Sequence, residues 1–475
     1  MTVLAIDQGT SGTKAIVVDE AGTVLAIAEA PVRPTYLPGG GVEQDPAELL
    51  ESVLDAGRRA VALAGRPVEA VSIANQGETV LAWDRATGAP LSPAVVWQDR
   101  RAEPLCAELA AHRDWVAQRT GLVLDPYFSA PKMAWLRRNV TGAGVVTTTD
   151  TWLVHHLTGE FVTDVSTASR SLLLGLDAVE WDPQLVDLFG LAGEELPRLV
   201  ACDQIVGDTT AFGTTMAVAG LVVDQQAALL AEGGIAPGLA KCTFGTGAFL
   251  LANAGGTAVR STSGLTTSVA WRARGETPYC VDGQVYTAAS AVRWLSDLGF
   301  IASAADLDRV AAPDAQGVLC VPSLAGLAAP WWRPDATAAF TGMTLSTRPE
   351  HLVLAVLQGI AAQVAEIATL VEADLGQPLT RLRVDGGLTQ SRALMQATAD
   401  LMQIPIDVYP SAHATALGAA ALARMSVHPQ LTVADAVPPW EPETTYEPAW
   451  SPDRSREFRA RWRAAVAAAL PAPQE

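Results

Sequence analysis

Three glycine-rich segments in the chain combine small residues with hydroxyl groups or charge. They are DQGTSGTK at Asp7–Lys14, FGTG at Phe244–Gly247 and DGGLTQS at Asp385–Ser391. Because glycine has no side chain, the backbone N–H groups of such loops can approach phosphate oxygens closely. Hydroxyl groups add hydrogen bonds to the same oxygens. These segments therefore favour a ligand that contains phosphate groups.

The first segment carries the most chemistry. Its threonine and serine hydroxyls are followed by the cation of Lys14, and Asp7 is able to hold a hydrated Mg²⁺. The glycines of the third segment suit the approach of a flat base or a sugar. A single segment of this kind is as typical of an ordinary turn as of a site, so the prediction depends on all three together.

Two strand meanders are predicted to present the first two segments. The first comprises Val3–Ile6, Ala15–Val18 and Thr23–Ala28, and the second comprises Lys241–Phe244 and Ala248–Asn253. In both, a loop of glycine and threonine separates apolar strands. Such a repetition at about half the chain length predicts two similar domains.

Hydrophobic periodicity and the residues typical of helix ends predict further helices and strands. Asp45 is a plausible N-cap and Pro46 a first helical residue. A glycine- and proline-rich stretch at 232–238 predicts a boundary between domains 1–232 and 233–475. The proline- and tryptophan-rich stretch 437–449 is expected to wrap the surface. Helices are predicted at Pro46–Ala64, His351–Ala373, Arg392–Met402, Ala414–Ala423 and Ser455–Leu470, and further strands at Val68–Ala74 and Leu382–Val384.

Composition excludes several classes of protein. The 475 residues suggest two to four domains, and the net charge of −19 disfavours a binder of nucleic acid. Five scattered cysteines disfavour a disulfide framework or a zinc cluster. Only three residues are lysines: Lys14, Lys132 and Lys241. We find neither a signal-peptide pattern nor an apolar run of about 18 residues, so the sequence predicts a cytoplasmic protein without membrane contact.

Seven collinear segments resemble the FGGY carbohydrate kinase family, and within it the glycerol kinases most. They are DQGTSGTK, NQGETVLAWD, VVWQDRR, DPYFSAPKMAWL, VDQQAALL, FGTGAFLL and VDGGLTQS. The resemblance implies an α/β, two-lobed, actin-like ATPase fold with ribonuclease-H-like lobes and a central cleft. It also implies ATP-dependent phosphorylation of a terminal hydroxyl of a small polyol or sugar, assisted by Mg²⁺.

The resemblance also implies roles for single residues. Asp224 corresponds to the catalytic base, although an aspartate there would serve equally as a helix cap, and Asp7 to the residue that organises Mg²⁺. The N-terminal lobe would hold the polyol and the ATP phosphates, and the C-terminal lobe the nucleotide. The implied polyol-binding residues are Gly77, Glu78, Trp97, Tyr127, Asp224, Gln225 and Phe249. The implied nucleotide-binding residues are Thr10, Ser11, Thr13, Lys14, Gly245, Thr246, Ala289, Arg293, Gly386, Gly387 and Ser391.

The sequence departs from the family pattern beside Glu78. Gly77 stands where glycerol kinases usually carry an arginine that holds substrate hydroxyls. The loss of that side chain predicts room for a four- or five-carbon alditol, unless an arginine from a neighbouring loop fills the space. The segment 212–216 also lacks the pattern that binds fructose bisphosphate in some relatives, so we expect that regulation to be absent.

Two other functions fit parts of the pattern. A ketopentose kinase, such as a xylulokinase, would share the fold and the phosphate loops. A nucleotide-dependent switch of the actin type would share the fold but has no reason to carry Glu78, Trp97, Tyr127 and Gln225. The sequence leaves the oligomeric state open, a homodimer included.

Overall fold

Two twisted sheets form the centres of two lobes in the computed structural model, which describes residues 2–470. The first sheet has the strand order β5-β6-β4-β1-β2-β3. Residues Val3–Ile6 of strand β1 are all apolar because helices cover both faces of the sheet. Its strands are β1 Thr2–Gln8, β2 Gly12–Asp19, β3 Val24–Pro31, β4 Ala70–Asn75, β5 Gly207–Thr209 and β6 Met216–Val223.

The second sheet has seven strands in the order β9-β10-β8-β7-β11-β12-β13. Strands β7 and β8 pair antiparallel, whereas β7 and β11 pair parallel. Its strands are β7 Ala240–Phe244, β8 Ala248–Gly255, β9 Thr266–Val269, β10 Tyr279–Val285, β11 Leu382–Asp385, β12 Ile406–Val408 and β13 Thr444–Tyr446.

The two sheets repeat one topology. In the first, β1, β2 and β3 form an antiparallel meander, and β4 and β6 continue the sheet in parallel from β1. In the second, β7, β8 and β10 form the meander, and β11 and β12 continue in parallel from β7. The predicted repetition of meanders and the two-lobed α/β fold are therefore confirmed. Each of the three glycine-rich segments lies at the end of a strand of this repeated topology.

Fifteen α-helices among the described residues pack on and between the sheets. Helix α1 begins and ends as predicted, and Asp45 caps it by accepting a hydrogen bond from the backbone N–H of Ala47 at 2.8 Å. The helices are α1 Pro46–Ala64, α2 Glu103–Glu108, α3 Arg113–Thr120, α4 Ser129–Asn139, α5 Thr149–Thr158, α6 Val165–Ala168, α7 Pro183–Leu188, α8 Asp224–Ala231, α9 Ala289–Asp297, α10 Leu307–Val310, α11 Pro349–Leu375, α12 Arg392–Met402, α13 Ala414–Val427, α14 Val433–Ala436 and α15 Pro452–Ala469.

Shorter strands and single helical turns complete the architecture. Five strands form an additional sheet in the N-terminal lobe, in the order Thr35–Leu37, Gly41–Gln44, Ala94–Val95, Val80–Trp83 and Val145–Thr148. Three two-stranded pairs are Val162–Asp164 with Arg198–Val200, Leu174–Gly175 with Glu180–Trp181, and Leu319–Val321 with Ala339–Thr341. The 3₁₀ turns are Pro38–Gly40, Ala110–His112, Ala304–Asp306 and Gly387–Gln390.

Helix α11 is long and apolar enough to cross a membrane by length and composition. The sequence analysis found no such run. In the structure, 83% of its most apolar 18-residue stretch is buried inside the protein. Its apolar residues pack in the core of the C-terminal lobe, beneath the second sheet. Helix α11 is therefore a core helix.

The C-terminal tail differs from its prediction. Residues 437–449 were expected only to wrap the surface, but Thr444–Tyr446 form strand β13 and pair antiparallel with β12. The difference has a physical reason, since β-branched threonines and a tyrosine beside an open sheet edge favour pairing. The tail thus closes the edge of the second sheet.

The lobes share a hydrophobic core at one end of the cleft. Val165 and Leu176 of the first lobe belong to the same buried cluster as Leu251, Val269 and Tyr279 of the second. A shared apolar cluster of this kind holds the two lobes together at the base of the cleft.

Candidate active site

Three carboxylates lie at strand ends of the two central sheets, close enough for two of them to raise the pKa of the third. Asp7 lies near the end of β1, Asp224 begins α8 directly after β6, and Asp385 ends β11. Burial and the neighbouring charges of Asp224 and Asp385 together raise the pKa of Asp7 to about 7, and Lys14 opposes part of this rise. Burial also raises the pKa values of Asp224 and Asp385. The fold therefore concentrates negative charge at one point of the cleft.

A buried lysine balances part of this charge. Lys241, on β7, is fully buried, and its Nζ donates to Gln225 Oε1 at 2.6 Å and to Thr243 Oγ1 at 2.7 Å. Its positive charge opposes the upward pKa shifts of Asp224 and Asp385. Lys241 lies in no motif that the sequence analysis selected, and the only available signal was its isolation within an apolar strand.

The carboxylates suit a divalent cation, although no three His, Cys, Asp or Glu side chains within residues 2–470 converge as a ready-made metal site. Asp385 Oδ1 is buried and has no hydrogen-bond partner among residues 2–470. The pKa of Asp7 is raised by its burial and by the carboxylates that face it. Oxygen ligands with incomplete charge balance fit Mg²⁺, which takes few protein ligands and keeps water and phosphate oxygens around it.

A small cavity opens beside Asp224. It encloses about 270 Å³ including its mouth. So small a cavity favours a ligand of few heavy atoms. Carboxylates, a guanidinium and amides alternate with aromatic and aliphatic side chains around it. Its lining residues are Glu78, Tyr127, Arg170, Val223, Asp224, Gln225, Gln226, Phe249, Leu251 and Asp282.

Aromatic rings form one wall of this region. Trp97 contacts Tyr127 and Phe249 edge to face, with ring centroids 5.6 and 6.0 Å apart. The indole Nε1 of Trp97 donates to Thr10 Oγ1 at 2.9 Å. The predicted aromatic residues therefore lie together, and Trp97 connects them to the first glycine-rich loop.

Arg170 lies in the same cavity and was missed by the sequence analysis. Its Nε donates to Glu78 Oε1 at 2.6 Å and its Nη1 to Asp282 Oδ1 at 2.8 Å. The guanidinium also lies 5.8 Å from the ring centroid of Tyr127 and 5.3 Å from that of Phe128. Arg170 belongs to no short motif, so only the fold brings it to the cavity.

Gly77 lies close to one side chain of a neighbouring strand. A Cβ atom built on Gly77 would lie 2.8 Å from Val223 Cγ2, the one atom within 4 Å of it among the described residues outside Gly77 and its chain neighbours. Gly77 is not among the residues that line the cavity, and the arginine there is Arg170. The larger substrate inferred from Gly77 therefore stays a prediction. Glu78, the next residue, has a φ of 61°, a strained conformation for a residue with a side chain.

The second and third glycine-rich segments adjoin each other in the C-terminal lobe. The carbonyl oxygen of Gly245 accepts a hydrogen bond from the N–H of Ala289, at the start of α9. Gly386 has a φ of 96°, and a Cβ there would lie 2.5 Å from Phe244 O, so only glycine fits. Gly387 is exposed with open space around it, and Arg293 is exposed on α9. The Phe244–Gly247 loop therefore lies beside both the start of α9 and the turn at Gly386.

Two residues predicted to bind the nucleotide direct their hydroxyl groups to other side chains of the protein. The Thr13 hydroxyl is buried and lies 2.7 Å from Ser52 Oγ on α1. The Ser391 hydroxyl caps α12 and donates to Asp308 Oδ1 at 3.1 Å. In the first loop, Ser11 is exposed, and Lys14 Nζ lies 3.3 Å from Glu29 Oε1. Ser11 and Lys14 therefore remain available at the loop, whereas Thr13 and Ser391 have structural partners.

A second buried lysine fixes the loop that carries Tyr127. Lys132 is fully buried on α4, and its Nζ donates to the carbonyl oxygens of residues 126, 127 and 128 at 2.5–2.7 Å. An ammonium has three N–H donors, and all three are used here. Lys132 therefore sets the path of the backbone beside the cavity.

We expect Lys132→Met to lower the free energy of unfolding by about 3 kcal/mol, because it leaves buried carbonyl oxygens without a donor. Urea unfolding measures this change. Arg138→Met, on the exposed side of the same helix, is the matched control and should change stability by no more than about 0.5 kcal/mol. Equal stabilities of the two variants would contradict this role of Lys132.

The sequence also matches known protein families over most of its length. Residues 2–231 match the N-terminal domain of the FGGY family of carbohydrate kinases, and residues 240–427 match its C-terminal domain. The chain belongs to this family. Its resemblance to the family is therefore confirmed, and so are the actin-like ATPase fold and an ATP-dependent kinase activity on a polyol or sugar.

Similar proteins support the same assignment. A glycerol kinase of Aromatoleum aromaticum is 41% identical over 98% of both chains, and glycerol kinase 2 of Thermotoga maritima is 37% identical over 98% of both. The crystal structure of Plasmodium falciparum glycerol kinase with ADP matches with a TM-score of 0.90 and 31% identity over 99% of this chain and 98% of that one. A structure described as a "xyloylose kinase" from Brucella ovis matches with a TM-score of 0.88 and 25% identity, over 98% and 99%.

Proposed function

We propose that this FGGY kinase transfers the γ-phosphoryl group of ATP to a terminal hydroxyl of glycerol. The observation that carries the proposal is the small polar cavity at Asp224, in which Glu78 and Arg170 offer an acceptor and a donor for hydroxyl groups. The similarity to proteins named glycerol kinase supports the same substrate.

The base in this proposal is Asp224. Its Oδ1 accepts a hydrogen bond from the N–H of Gln225 at 2.6 Å, which orients the carboxylate at the cavity wall. A carboxylate there takes the proton of the attacking hydroxyl as the bond to phosphorus forms. Burial raises its pKa, which makes the carboxylate a stronger base, and Lys241 limits that rise.

The phosphates of ATP would lie at the first and second glycine-rich loops, near Thr10, Ser11, Lys14, Gly245 and Thr246. We propose that Asp7 and Asp385 would hold Mg²⁺, which when bound neutralises charge on the phosphates. The base and ribose would lie at Gly386, Gly387 and Ala289, with Arg293 at the edge. Because ATP is its phosphoryl donor, we propose that the enzyme acts in the cytoplasm.

A longer polyol or ketopentose is the second candidate, and one observation favours it. A further cavity of about 480 Å³ adjoins the first at Tyr127 and is lined by Trp97, Gln98, Arg100, Tyr127, Tyr286 and Ala325. Gln98 Oε1 and Arg100 Nε are buried there and have no hydrogen-bond partner in the part of the chain that the structure describes. A substrate with more hydroxymethylene groups than glycerol could extend into it.

A substrate panel separates the two candidates. We expect kcat/KM for glycerol to exceed that for tetritols, pentitols and ketopentoses by roughly 10-fold or more, because a longer chain must pass the ring of Tyr127. A coupled assay of ADP release across the panel measures this ratio. If a pentitol or ketopentose is the best substrate, the second cavity is in use and glycerol is the wrong assignment.

A further inference from the structure

Arg170, the cation of the polyol cavity, forms ion pairs with residues of both lobes. Glu78 and Arg170 belong to the N-terminal lobe, whereas Asp282 lies on β10 of the C-terminal lobe. Arg170 bonds to both carboxylates, and its side chain is only 6% exposed. A guanidinium has a rigid fork of donors, so contacts at Nε and Nη1 fix the direction of the whole group. The orientation of Arg170 is therefore set by residues from both sides of the cleft.

Asp282 is itself held in place. Its second oxygen, Oδ2, accepts a hydrogen bond from Gln284 Nε2 at 2.8 Å. Next to Arg170, Ser169 Oγ accepts a hydrogen bond from the N–H of Val269 at 3.0 Å, which is a second polar contact between the lobes. The position of the Asp282 carboxylate is thus held by its own hydrogen bond as well as by Arg170.

One donor group of Arg170 remains for a ligand. Its Nη2 forms no hydrogen bond within the part of the chain that the structure describes, residues 2–470, whereas Nε and Nη1 are occupied. Arg170 lines the same cavity as Asp224. A buried charged donor without a protein acceptor, beside the base, is suited to a hydroxyl oxygen of the bound molecule.

We propose that Arg170 is a specificity-determining residue of the polyol site, which donates from Nη2 to a substrate hydroxyl that is not phosphorylated, and that Asp282 positions it from the opposite lobe. This inference rests on the proposed function and deepens it. Arg170 takes the place of the cation that the family pattern would put at position 77. The polyol pocket is complete only when both lobes contribute.

The test compares substrates that differ by one hydroxyl. Wild type and Arg170→Lys are assayed with glycerol, propane-1,2-diol and propane-1,3-diol, which lack either a terminal or the central hydroxyl. Lysine keeps the charge but loses the fork, so it cannot serve both carboxylates and a ligand. For one of the two diols, we expect the wild-type loss of kcat/KM relative to glycerol to be roughly 10- to 100-fold greater than the loss in Arg170→Lys.

A merely structural role of Arg170 would lower kcat/KM for all three substrates in the same proportion, and that result would overturn the proposal. Asp282→Asn, which keeps Arg170, should change the same ratio in the same direction by a smaller factor, so the proposal is tested even if Arg170→Lys folds poorly. Arg274→Lys is the matched control, because Arg274 pairs with Asp203 across the lobes but does not line the cavity. Its substrate ratios should equal those of wild type.

The wild-type arm tests the proposed function separately. If the wild-type enzyme phosphorylates none of the polyols in the panel, the proposed function fails. If it phosphorylates glycerol but both diol ratios are the same in wild type and Arg170→Lys, only the role of Arg170 fails.

Discussion

Replacing Asp224 by asparagine is expected to lower kcat by at least about 10²-fold, the usual effect of removing a general base. Asparagine has nearly the same shape and still accepts the hydrogen bond from the N–H of Gln225, but it cannot take a proton at neutral pH. The decrease should appear in single-turnover measurements with ATP and glycerol, because the chemical step itself is slowed.

The same variant separates catalysis from stability. The capping role that the sequence allowed for Asp224 is wrong, because Asp224 is the first residue of α8 and its N-cap is Val223, without a side-chain cap. Asparagine keeps the shape of the side chain, so the free energy of unfolding of Asp224→Asn should stay close to that of wild type. Asp45→Asn, at the N-cap of α1, is the control and should leave both turnover and stability unchanged within error. Turnover of Asp224→Asn near the wild-type value would show that another group is the base.

The second large effect is expected for Asp7→Ala. At about 1 mM Mg²⁺, this variant should have a kcat lower by about 10²-fold or more. It should also need a higher Mg²⁺ concentration to reach its half-maximal rate. The reason is the set of three carboxylates at the cleft. Asp224 and Asp385 repel the charge of Asp7, and a divalent cation relieves that repulsion. Without Asp7, the cation loses one of the oxygen ligands that the chain supplies.

Titration of the rate with Mg²⁺ decides this prediction. Asp19→Ala, at the exposed turn after β2, removes a carboxylate from the same meander without touching the cleft and serves as the control. An unchanged Mg²⁺ dependence in Asp7→Ala would remove Asp7 from the metal site. Calorimetric binding of ADP with and without Mg²⁺ adds a measurement that does not depend on turnover.

Local sequence patterns were sufficient for the elements that present the site. The two meanders, the boundaries of α1 and α12 and the turns at the strand ends follow from apolar periodicity, proline, glycine and capping residues. The structure brings Asp7, Asp224 and the aromatic residues of the cavity to the cleft because strands of the repeat end there. Motif and fold agree at these positions.

The features that the sequence did not predict involve residues that are far apart in the chain. Arg170 is 92 residues from Glu78 and 112 from Asp282, so no local pattern could join them. Thr13 was assigned to the nucleotide with its neighbours in the loop, but strand alternation turns its hydroxyl to α1. The close approach of Val223, on another strand, to Gly77 was likewise not readable from sequence.

The placement of the lysines has a practical consequence for chemical modification. Two of the three, Lys132 and Lys241, are fully buried, whereas the Lys14 side chain is 27% exposed in the first glycine-rich loop. An acylating reagent directed at amines therefore has one accessible lysine on the folded enzyme, and it stands where ATP phosphates are proposed to bind. An amine-reactive resin that couples at Lys14 would tether the enzyme through its proposed active site, and thiol coupling would meet five buried cysteines. Carboxylate-directed coupling suits this acidic surface better.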